Sequence, residues 1–118
     1  MRIFILSLMG LAASTAFADP PEVAAARVTQ SGDAWRFDVT ISHPGETGWD
    51  DYADGWRVEL ADGSELGTRE LLHPHVNEMP FTRSLGSVVI PAGTQSVYIR
   101  ARTNVEGWND TTLEVPLP

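Results

Sequence analysis

His73 and His75 flank a proline in the run Leu72-His73-Pro74-His75-Val76-Asn77-Glu78-Met79-Pro80-Phe81, which gathers the side chains of this chain best suited to chemistry. Residues i and i+2 of an extended strand share a face. Two imidazoles at this spacing could therefore meet one metal ion, at roughly 2.0–2.1 Å from each nitrogen. His43 ends the clearest strand pattern and offers a third imidazole. Glu78 is the expected fourth ligand, Glu70 could complete or orient the set, and Met79 presents a soft sulfur to copper(I). Three histidines with an open position suit zinc or copper. Pro74 opposes this reading. It biases His73 toward β or polyproline II geometry, and at about three residues per turn in polyproline II, i and i+2 part. The competing expectation is a rigid loop whose histidines face solvent or nearby backbone.

A second group is acidic and aromatic. Asp50, Asp51 and Asp54-Gly55 lie in the loop PGETGWDDYADG. Calcium takes several carboxylate and carbonyl oxygens, but the spacing is not that of an EF-hand. Aspartates that make turns and cap amides are the simpler reading. Trp49, Tyr52, Trp56 and Trp108 could form a stacking platform for a sugar or peptide. Trp56 and Trp35 begin alternating strands and are expected in the core, which leaves Trp49 and Trp108 for a surface site. Gly48-Trp49-Asp50-Asp51 is echoed by Gly107-Trp108-Asn109-Asp110, too short to be a repeat. The interaction surface expected from these loops consists of Trp49, Asp50, Asp51, Asp54 and Trp108.

Catalysis is not expected. No serine lies in a G-x-S-x-G elbow, and no spacing selects a triad around His43 with Ser42 or Ser84. Adjacent carboxylates such as Asp50 and Asp51 point apart in an extended chain. The basic residues are eight arginines and no lysine, so Schiff-base chemistry and a phosphate-loop lysine are absent.

The elements that must position these residues belong to an exported chain. Arg2, the apolar run Ile3 to Leu11 and the small-x-small site Ala16-Phe17-Ala18 form the three parts of a secretory signal peptide over residues 1–18. The apolar run is shorter than the roughly 20 residues that span a bilayer, so no membrane span is expected once the leader is removed. The absence of cysteine excludes a lipid-modified cysteine. Residues 19–118 then form a single domain, large enough to hold itself together by packing without disulfides. Without Arg2 the balance is seven arginines against sixteen carboxylates, a formal −9. Such a surface repels phosphate backbones, so nucleic acid is not an expected partner.

Strand patterns fill residues 19–118. Val23 to Val28 reads as a first strand, with a short helix as the alternative. Trp35, Phe37, Val39 and Ile41 alternate with polar residues at period two until His43-Pro44-Gly45. Strand pattern resumes at Trp56. Asp62-Gly63 marks a hairpin turn, and Leu66 to Leu72 is the return strand, with its inward face left open. Phe81 to Leu85 and Val88 to Ile90 follow as separate short strands. Val97, Ile99 and Ala101 alternate again, and Thr111 to Val115 closes the series. About seven short strands at such spacing predict an all-β fold, an antiparallel β-sandwich of immunoglobulin or fibronectin type III kind.

Two resemblances accompany this reading. Val88-Val89-Ile90-Pro91-Ala92-Gly93-Thr94 followed by Gln95 to Arg102 resembles the closing strands of fibronectin type III domains, which supports the fold class. The runs Arg36 to Pro44, Gly48-Trp49-Asp50, Ala53 to Val58, Leu72 to Val76 and Pro80 to Leu85 resemble a group of short exported proteins of alphaproteobacteria. That resemblance implies a periplasmic location and brings no activity, cofactor or catalytic residue. The sequence thus predicts a small periplasmic binding protein, with zinc or copper held by His43, His73, His75 and Glu78. The alternative is a metal-free, non-enzymatic interaction module for an unidentified periplasmic protein.

Overall fold

A computed structural model describes residues 19–118; the signal peptide expected over residues 1–18 lies outside the described residues. The described chain is all-β and antiparallel, and no helix in it is long and apolar enough to cross a membrane. Eight strands form two packed sheets. They are β1 (Glu22–Ser31), β2 (Ala34–Ser42), β3 (Ala53–Glu59), β4 (Glu65–Glu70), β5 (Phe81–Val88), β6 (Ser96–Thr103), β7 (Gly107–Trp108) and β8 (Leu113–Pro116). The first sheet has the order β1-β2-β5. The second has the order β4-β3-β6-β7, and β8 also pairs with β6.

Alternation dictates which faces meet. Phe37, Val39 and Ile41 of β2 are buried, and so are Val97, Ile99 and Ala101 of β6. Trp56 and Val58 of β3 complete the centre, with Phe81 and Val88 from β5 and Val115 from β8. Trp56 is thus a core residue, as its position at the head of an alternating run predicts. The segment Val23 to Val28 is strand rather than helix, because Val23, Ala26 and Val28 are needed on the core side of β1. The stretch Val88 to Ile90 is not a separate strand. β5 runs on through Gly86, and a register shift against β2 absorbs the irregularity at Ser87, whose φ is +59°. The open question over Leu66 to Leu72 resolves with Gly67, Arg69 and Leu71 inward: Leu71 is buried, Gly67 lies against Leu85 and Val88, and Arg69 reaches the Ser84 carbonyl, while Thr68 and Glu70 are exposed and Leu66 is partly buried at the margin of the core. The Asp62-Gly63 hairpin forms as expected, with Gly63 at positive φ and its N–H donating to the Leu60 carbonyl.

Polarity governs the outer face of the second sheet. Glu59 is buried there, and its carboxylate accepts from Arg57 Nε at 2.6 Å, Arg100 Nε at 2.7 Å and Arg100 Nη2 at 3.0 Å. Burial alone would raise the Glu59 carboxyl, but the hydrogen bonds and charges of Arg100 and Arg57 outweigh it and hold the group below its ordinary range. Asp54 accepts from Arg102 Nε at 2.9 Å. Gly55 permits this layout: a Cβ there would lie 3.4 Å from Arg102 Cγ and Cδ and 3.2 Å from the Arg69 carbonyl oxygen.

Core truncation gives the simplest test of this packing. Ile99→Ala should lower stability by about 2–5 kcal/mol, a large share of the roughly 5–15 kcal/mol of a typical domain. The urea midpoint should fall with the slope unchanged. An unaltered midpoint would show that β6 does not pack against the first sheet.

Candidate functional site

Antiparallel pairing sends alternate connections to opposite ends of the sandwich. The loop after β2 (residues 43–52), the loop after β4 (71–80) and the loop after β6 (104–106) therefore share one end. The start of β1 is there too, since Glu22 pairs with Ser42. The candidate ligands His43, His73, His75 and Glu78 and the candidate interaction residues Trp49, Asp50, Asp51, Asp54 and Trp108 lie on these loops or on the strand ends beside them.

His43 continues the inward parity of β2 and is 1% exposed. Its Nδ1 lies 2.7 Å from Glu46 Oε2. A carboxylate only accepts, so Nδ1 carries the proton. The same oxygen accepts the Ala53 N–H at 2.9 Å, and Glu46 Oε1 accepts the His75 N–H at 2.7 Å. The His43 N–H donates to Met79 Sδ at 3.4 Å. His43 thus does come over to meet the 71–80 loop, and buried Glu46 is the group that joins them. The sequence reading missed Glu46. The available signal was an acid three residues after His43, across a Pro-Gly turn.

The two histidines of the 71–80 loop differ in environment. His75 is buried, stacked on Phe81 at 3.9 Å with an interplanar angle of 11°. Neither of its ring nitrogens has a hydrogen-bond partner, and neither has Nε2 of His43. Burial pushes the His75 imidazole below its ordinary value; Arg83 and His73 push the same way, and Glu78 and Glu46 oppose them. His73 is exposed, with Nδ1 3.0 Å from the Pro74 carbonyl oxygen. Its ring lies 4.5 Å from that of His75 at 34°.

This arrangement does not bring His43, His73, His75 and Glu78 together as a ligand set for zinc or copper. Among the described residues, no group of three or more His, Asp or Glu side chains is disposed to hold a metal ion. The physical reasons are local. The rings at 73 and 75 lie 4.5 Å apart and 34° from parallel, and His75 is stacked on Phe81. His43 directs Nδ1 to Glu46. The Glu78 carboxylate lies 3.7 Å from Arg83.

The three aspartates of the acidic and aromatic loop do not converge. Asp50 is exposed, Asp51 is buried and Asp54 holds Arg102, so the three carboxylates occupy three environments rather than one calcium cage. Trp49 is 65% exposed and meets Tyr52 edge-on at 5.5 Å. Asn104 fixes this pair: its Nδ2 donates to the Trp49 carbonyl at 2.9 Å, and its Oδ1 accepts the Tyr52 N–H at 2.9 Å. Trp108 is not an open platform. Arg57 lies 4.2 Å and Arg102 5.2 Å from the centre of its ring. Beside Trp108 is a cavity of about 320 Å³ whose walls include Tyr52, Asp54, Glu70, Leu72 and Arg102. Leu72, at its rim, is 75% exposed. Asn104, Arg57, Arg102 and Leu72 were not among the residues expected from sequence, since each acts through neighbours distant in the chain.

Over 84 residues the chain is 42% identical to a protein of Halomicrobium mukohataei whose name reads "Putative lipoprotein". The match covers 71% of this chain, which spans 40% of the length of that relative. The relative is archaeal, and it lends no support to the alphaproteobacterial grouping suggested by the residue runs. No family model matches the chain, and no solved structure matches it.

Two predictions follow from the buried cluster. Glu46→Ala strands three donors in a buried site and should destabilise by about 3 kcal/mol, with Glu46→Gln recovering part of the loss; equal midpoints for all three proteins would refute the hub. His75 is held below its ordinary value, so the unfolded chain binds a proton first as pH falls. Stability from the neutral ring is whole above about pH 6.5 and is lost below it. The urea midpoint should therefore drop between about pH 7.5 and about pH 5, and less so in His75→Phe. The same drop in both proteins would refute the assignment.

Proposed function

We propose that this chain is a non-enzymatic recognition module of an exported, cell-envelope protein, working in the periplasm and binding another macromolecule through the loop end that carries Trp49. The leader pattern of residues 1–18 and the relative's description as a lipoprotein both support export. The chain has no cysteine, so a cysteine-linked lipid has no attachment point in residues 1–118.

The observation that carries the reading is the exposure of Trp49 and Leu72 on a fixed frame. Leu72 is exposed at the rim of the cavity, and Trp49 meets Tyr52, which lines the same cavity. Exposed apolar surface of this kind marks interaction sites, and tryptophan is enriched among the residues that dominate binding energy. The Asn104 bonds hold Trp49 and Tyr52 in place before any partner arrives, which lowers the ordering cost of association. A binder fits better than an enzyme here. His43, the imidazole that a carboxylate orients, is sealed from solvent.

A photo-crosslinking side chain placed at position 49 should give a discrete adduct in the cell envelope, and the same group at Asp62, on the opposite end, should give none. Trp49→Ala should weaken binding of the adducted partner at least about tenfold. Equal adducts from both positions, or full affinity in Trp49→Ala, would refute the reading.

A further inference from the structure

We infer that the cavity beside Glu70 receives an arginine side chain of the partner. This rests on the interaction reading above and names the chemistry it recognises. On the outer face of the second sheet, the neighbouring carboxylates are already engaged: Glu59 holds Arg57 and Arg100, and Asp54 holds Arg102. Glu70 ends β4, is exposed and lines the cavity. Among the described residues it makes no hydrogen bond or ion pair. Its cross-strand neighbour in β3 is Gly55, which has no side chain to offer a charge.

The surrounding walls suit an amphipathic cation. Tyr52 and Leu72 give apolar surface on which the stem of a long basic side chain can lie while its head stays with the carboxylate. Arg102 also lines the cavity, but its charge is matched by Asp54 and its guanidinium lies over Trp108. The formal charge of the whole chain, −8, favours approach of a cationic segment at longer range. Arginine suits the site better than lysine, because a planar fork can bond both carboxylate oxygens and stack on an aromatic ring.

The test uses the purified protein, isotope-labelled, with N-acetylarginine methylamide as the probe and N-acetylcitrulline methylamide as its neutral isostere. The arginine compound should shift the Trp108 indole resonance saturably, and the citrulline compound should not. Glu70→Gln should weaken the arginine response about tenfold, the factor expected for a charge-assisted hydrogen bond. Asp62→Asn, at the far end, should leave it unchanged. Because Glu70 is exposed, Glu70→Gln should keep the wild-type urea midpoint, which separates a lost contact from a lost fold. No saturable shift, an equal shift with citrulline, or an unchanged response in Glu70→Gln would overturn the inference. If the crosslink at position 49 still forms in any of those cases, the interaction reading stands and only the arginine assignment fails.

Discussion

The end of the sandwich that carries the candidate site depends on one buried carboxylate. Glu46 accepts hydrogen bonds from the His43 ring, the Ala53 N–H and the His75 N–H. These donors come from the exit of β2, the start of β3 and the middle of the 71–80 loop. Leaving such groups unpaired in a buried site costs more than the pairing returns, so the carboxylate is a constraint as well as a stabiliser. An ionised carboxylate has several acceptor sites and no donor. That suits a place where strand ladders have ended and three donors still point inward. The 43–52 and 71–80 loops are thereby fixed to each other, and with them the relative positions of Trp49 and Leu72.

The outer face of the second sheet follows a related logic with water nearby. Each guanidinium there is held by a carboxylate, a carbonyl or an aromatic ring. Arg100, for example, bonds Glu59 and also donates to the Asn109 carbonyl at 2.6 Å. This order turns Trp108 into a wall. An indole already covered by cations has little face left for a sugar ring, whereas Trp49 keeps most of its surface. The two Gly-Trp segments look alike in sequence, yet their surroundings give them different work. The difference arises because Trp108 lies in a strand opposite Arg102, while Trp49 lies in a loop.

Much of the fold was legible because burial imposes period two. The alternations from Trp35 to Ile41 and from Val97 to Ala101 map directly onto core positions, and the Asp62-Gly63 turn sits where its residues demand positive φ. Less legible were segments whose faces carry mixed signals. Val23 to Val28 has three alanines, which serve helix and strand alike, and tertiary pairing with β2 decides. Gly86 looks like a break, but β5 passes through it because its register with β2 can shift. The candidate residues could be picked from the sequence, but their contacts could not. Histidine spacing suggested a ligand set, whereas the actual partner of His43 is a glutamate in a Pro-Gly loop. The same glutamate reaches His75, 29 residues further along the chain. Turn geometry of that kind is set by packing at the end of the sandwich, and residue types alone do not encode it.

The position at which β1 begins adds a further constraint on this end of the sandwich. Pro21 is tied at the site end, where its carbonyl accepts from Asn109 Nδ2 at 2.6 Å, and Glu22 pairs with Ser42 at the head of β1. Pro21, the start of β1 and the segment around Asn109 are thereby joined at the end that also holds the Glu46 cluster. The two sheets are tied to each other there by side-chain hydrogen bonds where their strand ladders run out.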